Sequence, residues 1–495
     1  MLKPLSSERW TLAAAAHLLN RAGFGGPPEQ IEALHRLGPD AAVAQLVDGQ
    51  AVPEAMPLSP PAWAHPDPDR PDRLKRARSA NDEERRRMRE ENQREQRRRV
   101  EELRLWWIRR MIVTPRPLEE KLVLFWHGHF ATSVQKVRDA WLMYRQLDLF
   151  RRHGFGQWQD LLKAVTWDPA MLLWLDQAQS RREHPNENYA REVMELFALG
   201  EGQYSEKDIQ DTARALTGIT LNRETLESDW RPRSHDPGSK SVLGRTGPLG
   251  PDDVILHIAR HPQSARHISG RLWRFFVQDG LPAPALDGLT REFQRCDGDI
   301  RSVLRCLFRS EAFYSPDVVR TQIKSPVQWL VGALRQLERK EPPGPRALIA
   351  LRELGQELLA PPNVKGWDGG AAWINTGTLT RRQQWAAVLV DGRAAIIDQA
   401  EGERGLKLRE RMKRMDRTRG AESATTRVTT LFSSEDQKDR PSLVAALERR
   451  FLHSRMRPQL LDSVHDVLGD DPVPAPRAQV EAVRVVLQST DYQLT

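Results

Sequence analysis

Cysteine is almost missing from this chain: 495 residues hold two, Cys296 and Cys306. They fall in what reads as one helical hairpin, so no disulfide framework is supported, and free buried thiols behaving as small hydrophobes are expected. Tyrosine is also scarce, five residues against fifteen tryptophans. Tryptophan brings large apolar area when buried and a flat stacking face when exposed. No run of about 18 apolar residues occurs, so no membrane span is expected. The stretch Met1–Leu19 holds Lys3, Glu8, Arg9 and His17 around a short alanine run. It has no small-residue cleavage site, so no signal peptide is read. The expected location is the cytoplasm, with export on a partner as the alternative. A P-loop, a dinucleotide fingerprint, a Gly-x-Ser-x-Gly elbow and a His-Glu-x-x-His pair are all absent, which tells against those enzyme classes. There is no internal repeat.

What is present is charge. Lys and Arg number 75 and Asp and Glu 67, a net of +8, with a pI near 9.6. Such an excess favours anionic partners. Here it comes largely from Arg-rich stretches with interleaved acids and no nucleic-acid reader motif, so nucleic-acid binding is not expected. The mean hydropathy of -0.60 is low but compatible with a folded chain carrying charged insertions.

The spacing of apolar residues predicts an all-α, multi-helix globule. Residues 81–111 read as one long helix, solvated over its first half and held there by i,i+4 ion pairs. Val100, Leu103, Trp107 and Met111 then form a stripe that can dock on a core. Further helices are expected over 118–130, 140–152, 157–165, 186–199, 205–216, 252–259, 264–277, 299–308 and 325–337. The helical period is lost over 219–245, where a loop with a small β-hairpin is expected. A main domain over 1–395 would carry a Pro-rich linker at 51–72 and a charged helical insertion at 73–104. A charged, mobile insertion at 396–440 and closing helices at 441–495 complete the division.

Four segments stand apart. The first is Glu120-Lys121-Leu122-Val123-Leu124-Phe125-Trp126-His127-Gly128-His129-Phe130, and the second runs from Asn186 through Glu187, Asn188, Arg191, Glu192 and Glu195 to Gly200. The third is His235-Asp236-Pro237-Gly238-Ser239-Lys240. The fourth runs from Pro362 through Lys365, Gly366, Trp367 and Asp368 to Trp373, Ile374 and Asn375. Together they resemble the bacterial family called domain of unknown function 1800, over about residues 12–395. Membership implies little biochemistry. Relatives are often encoded beside an alkaline-phosphatase-like family, which makes such a protein a conceivable partner.

The residues themselves limit what chemistry is open. Two histidines two apart on a helix lie about 200° apart, so His127 and His129 could share a metal only if Gly128 breaks the helix or the segment is extended. Imidazole suits zinc or iron, and Glu192 and His235 would complete a metal set. The alternative is a pair of hydrogen-bonded histidines in an aromatic core. On the 186–199 helix, Tyr189, Ala190, Val193, Met194, Leu196 and Phe197 share one face, while Glu187, Asn188, Arg191, Glu192 and Glu195 share the other. Glu187–Arg191 and Arg191–Glu195 are possible ion pairs. That polar face is either a solvated surface or, lining a cleft, a source of general acid and base. Asp236 and Lys240 lie on a loop, with Lys240 a candidate anion contact. Asn188, Lys365, Trp367, Trp373 and Asn375 suit stacking and hydrogen bonding to a sugar or another flat ligand. Two functions are compatible with this set. One is a metal-assisted, hydrolase-type enzyme with a single polar centre using Glu187, Arg191, Glu195, Asp236 and Lys240. The other is a non-catalytic binding or scaffold protein for a partner, a carbohydrate or an anionic ligand.

Overall fold

The computed structural model describes residues 2–49, 58–391 and 424–495. Helix accounts for 63% and strand for 4%, so the chain is mainly α as its periodicity predicts. Contacts divide it into two compact units. The first gathers Met1–Ser6, Asp40–Val318 and Glu357–Asp368; the second gathers Ser7–Pro39, Val319–Gln356 and Gly369–Thr495. Most of the 396–440 segment falls outside the described residues, as does 51–57 of the Pro-rich linker.

In the first unit the long charged helix is α1, Asp82–Val113. It starts in a capping box, Asn81 accepting from the Glu84 amide while the Glu84 carboxylate accepts from the Asn81 amide. Its solvated half is laced by pairs such as Arg87–Glu83 and Arg99–Glu95. Val100, Leu103, Trp107 and Met111 are buried, which is the stripe read from the sequence. Helix α2, Pro117–His129, is buried along nearly its whole length, and α3, Ala140–His153, packs beside it. Trp107, Trp126, Trp158, Phe130 and Phe150 are fully buried among them, with Trp126 and Trp158 stacked at 5.9 Å. Part of the tryptophan excess is thus core in this unit, each buried ring removing on the order of 200 Å² from water, while others such as Trp106, Trp141 and Trp230 stay partly exposed.

The charge balance of that core rests on Glu120. Its carboxylate, with no solvent exposure, accepts from Arg110 Nε (2.5 Å), Arg151 Nε (2.8 Å), Arg151 Nη2 (2.9 Å) and Trp107 Nε1 (2.8 Å). Burial pushes the carboxyl up, but the two guanidiniums outweigh it and hold it at about 2.

The 186–199 segment is not one regular helix. Helix α4, Glu187–Glu192, passes into a π-helical turn, Val193–Ala198. The wider turn changes the face: Leu196 becomes partly exposed, while Ala198 and Leu199 go inside with Tyr189, Val193, Met194 and Phe197. Helix α5, Glu206–Ala215, starts from a Ser205 capping box and packs on α4. Over 219–245 there are two hairpins in place of one. β1 (Ile219–Leu221) pairs with β2 (Ser228–Trp230), and β3 (Lys240–Val242) with β4 (Arg245–Gly247), both antiparallel. Helix α6, Pro262–Phe276, follows. Cys296 and Cys306 are free, as expected, though partly exposed where full burial was expected.

The second unit is also helical. It holds Leu12–Ala22, Pro326–Gln336, Thr376–Asp391 and Pro476–Gln488, with Trp329 and Tyr492 fully buried in its core.

Candidate functional site

Three of the four segments meet inside the first unit. Helix α2 runs through Gly128 without a break, so the condition under which His127 and His129 could share a ligand is not met. Instead the loop carrying Lys365 and Trp367 lies against it. Gly366, at φ +84°, comes so close that a Cβ there would stand 2.2 Å from the Gly128 carbonyl oxygen. Trp367 meets the His127 ring edge-on at 5.5 Å.

Each motif histidine holds backbone. His127 Nε2 accepts from the Leu359 amide at 3.2 Å, which assigns the ring proton to Nδ1. His129 Nε2 donates to the Phe197 carbonyl at 2.9 Å, and His267 Nε2 donates to Leu196 at 2.9 Å. Those two carbonyls end the π turn, where no further helix supplies amides, so the imidazoles act as its caps. Burial lowers His127 to about 3 and His267 to about 4, and lowers His129 as well. These rings stay neutral.

The predicted metal set does not fit a zinc or iron ion. His127 and His129 sit on opposite sides of α2, in different hydrogen bonds, and His235 Nδ1 donates to the Thr217 carbonyl at 2.9 Å. Among the described residues no three His, Cys, Asp or Glu side chains gather as a metal would need.

The third segment closes on itself and on α5. Asp236 accepts from Arg214 Nε at 2.7 Å, and Arg214 also donates to Asp211 at 2.7 Å. That bond with Arg214 holds the Asp236 carboxyl below its usual range. Lys240, buried, donates to the carbonyls of Asp236 and Gly238, at 2.5 and 2.9 Å. Lys240 is thereby a loop clamp, in place of the anion contact expected of it.

The polar face of α4 behaves differently. Arg191 pairs with Glu187 (3.4 Å), as expected, but its second partner is Glu206 (2.9 Å) and not Glu195. The π turn begins between them and spoils the i,i+4 spacing, and Glu195 accepts from the Tyr204 hydroxyl at 3.1 Å instead. Asn188 is exposed. Glu192 is half-buried, yet among the described residues its carboxylate has no hydrogen bond or ion pair. Burial, and then the Glu195 charge, raise its carboxyl above the ordinary value, while Lys365 and Arg191 act against them. Lys365 is exposed and stands 3.7 Å from Glu201. Trp367, two residues on, is part exposed. The first unit thus presents Asn188, Glu192, Glu195, Lys365 and Trp367 on two adjoining segments.

Trp373 and Asn375 belong to the second unit. Trp373 is buried there, and Asn375 Oδ1 accepts from the Thr378 amide at 2.9 Å at the start of the Thr376–Asp391 helix. Both are engaged in that turn. The sequence reading missed Glu120 as a charge centre, and it missed His267 and Arg271. Glu120 lay inside a quoted motif, but its partners are 10 and 31 residues away. His267 and Arg271 carried only an i,i+4 spacing.

Among the described residues no helix is long and apolar enough to cross a membrane. The family model described as "Protein of unknown function (DUF1800)" matches residues 17–494. No curated protein and no solved structure matches the chain.

Proposed function

The chain belongs to that family of unknown function, and we propose that it is a binding protein for a carbohydrate-type ligand, taken up on the α4 and Lys365–Trp367 surface of the first unit. One observation carries this reading: Glu192 is a half-buried carboxylate without a partner among the described residues. Desolvating an acceptor and leaving it unpaired is costly. A ligand hydroxyl would supply the missing donor, and Trp367 offers a ring face to a pyranose. Lys365 and Asn188 add donors at the rim. The other polar motif residues are engaged with backbone or with each other, which favours binding over a metal-assisted centre.

A second reading rests on the raised carboxyl of Glu192 beside Glu195. A raised carboxyl that can deliver a proton, with a second carboxyl group beside it, is the residue set that general-acid hydrolysis of a glycosidic bond uses. One experiment separates the two. A panel of neutral and acidic oligosaccharides is titrated calorimetrically into the wild type, Glu192→Gln and Trp367→Ala, and the same mixtures are then searched by mass spectrometry for shortened products. Binding weakened about tenfold or more in both variants, about 1.4 kcal/mol, without products, supports the binding reading. Products lost in Glu192→Gln support hydrolysis. Wild-type affinity in both variants places the ligand elsewhere and overturns both.

A further inference from the structure

Arg271 lies on α6, one turn after His267 and three residues before Arg274. It is half-buried, and among the described residues its guanidinium has no hydrogen bond and no carboxylate partner. Burial lowers its pKa, the neighbouring Arg274 lowers it further, and no acidic group acts in the other direction. A charge that the fold draws partly out of water is normally given a partner. Arg335 and Arg382 show the usual solution in this chain. Arg335 donates to the Gly25 carbonyl and Gln30, and Arg382 to the Lys324 carbonyl and Gln493.

The neighbour of Arg271 is an open acceptor. His267 donates through Nε2 to the Leu196 carbonyl at 2.9 Å, so its Nδ1 carries a lone pair. That Nδ1 has no donor among the described residues. It faces Gly200, at φ +89°, where a Cβ would stand only 3.1 Å from it. A glycine here therefore keeps the space in front of the imidazole clear. His129, its ring 6.1 Å from that of His267, is itself buried. One face of the helix thus carries a cation and an imidazole acceptor four residues apart.

We propose that Arg271 and His267, beside Gly200, form a binding site for a phosphate group, as hydrogen phosphate or a phosphomonoester monoanion. The ionised oxygens of such a group accept from the guanidinium, and its P–OH donates to His267 Nδ1. Sulfate at neutral pH has the oxygens without the hydroxyl and satisfies only half of the site. The inference is independent of the carbohydrate surface, since it uses neither Glu192 nor Trp367.

The test uses the full chain, titrated calorimetrically at pH 6.5 with inorganic phosphate, glycerol phosphate and sodium sulfate at matched ionic strength. The variants are Arg271→Gln and, as a control, Arg266→Gln, an exposed arginine of the same helix paired with Asp287. Phosphate or its ester should bind at least about tenfold more tightly than sulfate. Arg271→Gln should lose that binding while melting no lower than the wild type in phosphate-free buffer, because it removes an unpaired charge. Arg266→Gln should bind as the wild type does. Tighter binding of the ester identifies an ester ligand, and tighter binding of the inorganic ion identifies free phosphate. Equal affinity for sulfate, undiminished binding in Arg271→Gln, or no saturable binding by either phosphate would each overturn the proposal.

Discussion

Removing the negative charge of Glu120 should be among the most damaging single changes available in the first unit. The carboxylate is fully buried and accepts four hydrogen bonds, three from guanidinium nitrogens and one from Trp107. Glu120→Gln keeps the volume but leaves Arg110 and Arg151 without their shared counter-charge, the situation in which breaking a buried pair costs about 3–5 kcal/mol. The acid–base behaviour gives an independent figure. A carboxyl held at about 2 against an ordinary 4.5 contributes about 3 kcal/mol to stability at neutral pH. Because the folded value is the depressed one, that contribution is complete above about pH 4.5 and is lost as the pH falls toward 2. Urea titrations of wild type and Glu120→Gln, followed by tryptophan fluorescence and far-ultraviolet circular dichroism between pH 3 and 8, test both the size and the pH dependence. The expected result is a deficit of about 3 kcal/mol, level from pH 5 to 8 and shrinking below 4.5. A deficit under about 1 kcal/mol, or one that grows on acidification, would show that Glu120 does not carry the charge balance of this core.

Three further outcomes are expected. His127 and His267, lowered by burial to about 3 and about 4, and His129, also lowered, are neutral when folded and would protonate on unfolding near pH 6.5. Asp168, raised by burial to about 6, Glu119 and Glu192 run the other way. His453, lowered by burial to about 4, and His153, His235 and His261, also lowered by burial, join the three histidines, and together they outnumber the carboxyls. Melting temperature should therefore fall between pH 6.5 and 5; a flat or rising profile contradicts this. Gly366→Ala should destabilise by about 2 kcal/mol or more, since it adds a backbone clash with Gly128 to a left-handed φ. Gly369→Ala, at φ +79° with open space around it, should cost about 1 kcal/mol, and equal melting losses would show that the contact with Gly128 carries no weight. Ser205→Ala removes the cap of α5 and should lower stability by about 1 kcal/mol, read in the same denaturation assay.

The helices and the docking stripe of α1 were legible because burial on one side imposes a period that a single sequence displays. The π turn was not. Nothing between Asn186 and Leu199 departs from α periodicity, and the turn is held by His129 and His267, which lie 68 and 71 residues from the carbonyls they cap. The Glu187–Arg191 pair was readable because it lies within one turn of regular helix, and Arg191–Glu195 failed because the turn between them is not regular. Asp236 was a candidate for catalysis, yet its carboxylate is held by Arg214, 22 residues earlier and contributed by α5. Long-range polar pairing of this kind leaves no local trace, and it decides which of the candidate residues remain available for chemistry.

Availability of that kind has a physical basis. A π turn leaves carbonyls that need donors at its end, a left-handed glycine contact needs a neighbour without a side chain, and a buried carboxylate needs cations. His129, His267, Gly128, Gly366, Arg110 and Arg151 answer those demands in the first unit. A residue type that looks catalytic in a motif can therefore be fixed entirely by folding, as His127 is by the Leu359 amide. The groups to suspect of function are those desolvated by the fold and given no partner by it, since selection for stability alone would remove them. In the first unit Glu192 and Arg271 meet that description. They have opposite charges and lie on separate helices, so each calls for its own ligand. Replacing either with a neutral isostere should leave the melting temperature of the free protein unchanged or higher, which is the opposite of what Glu120→Gln will do.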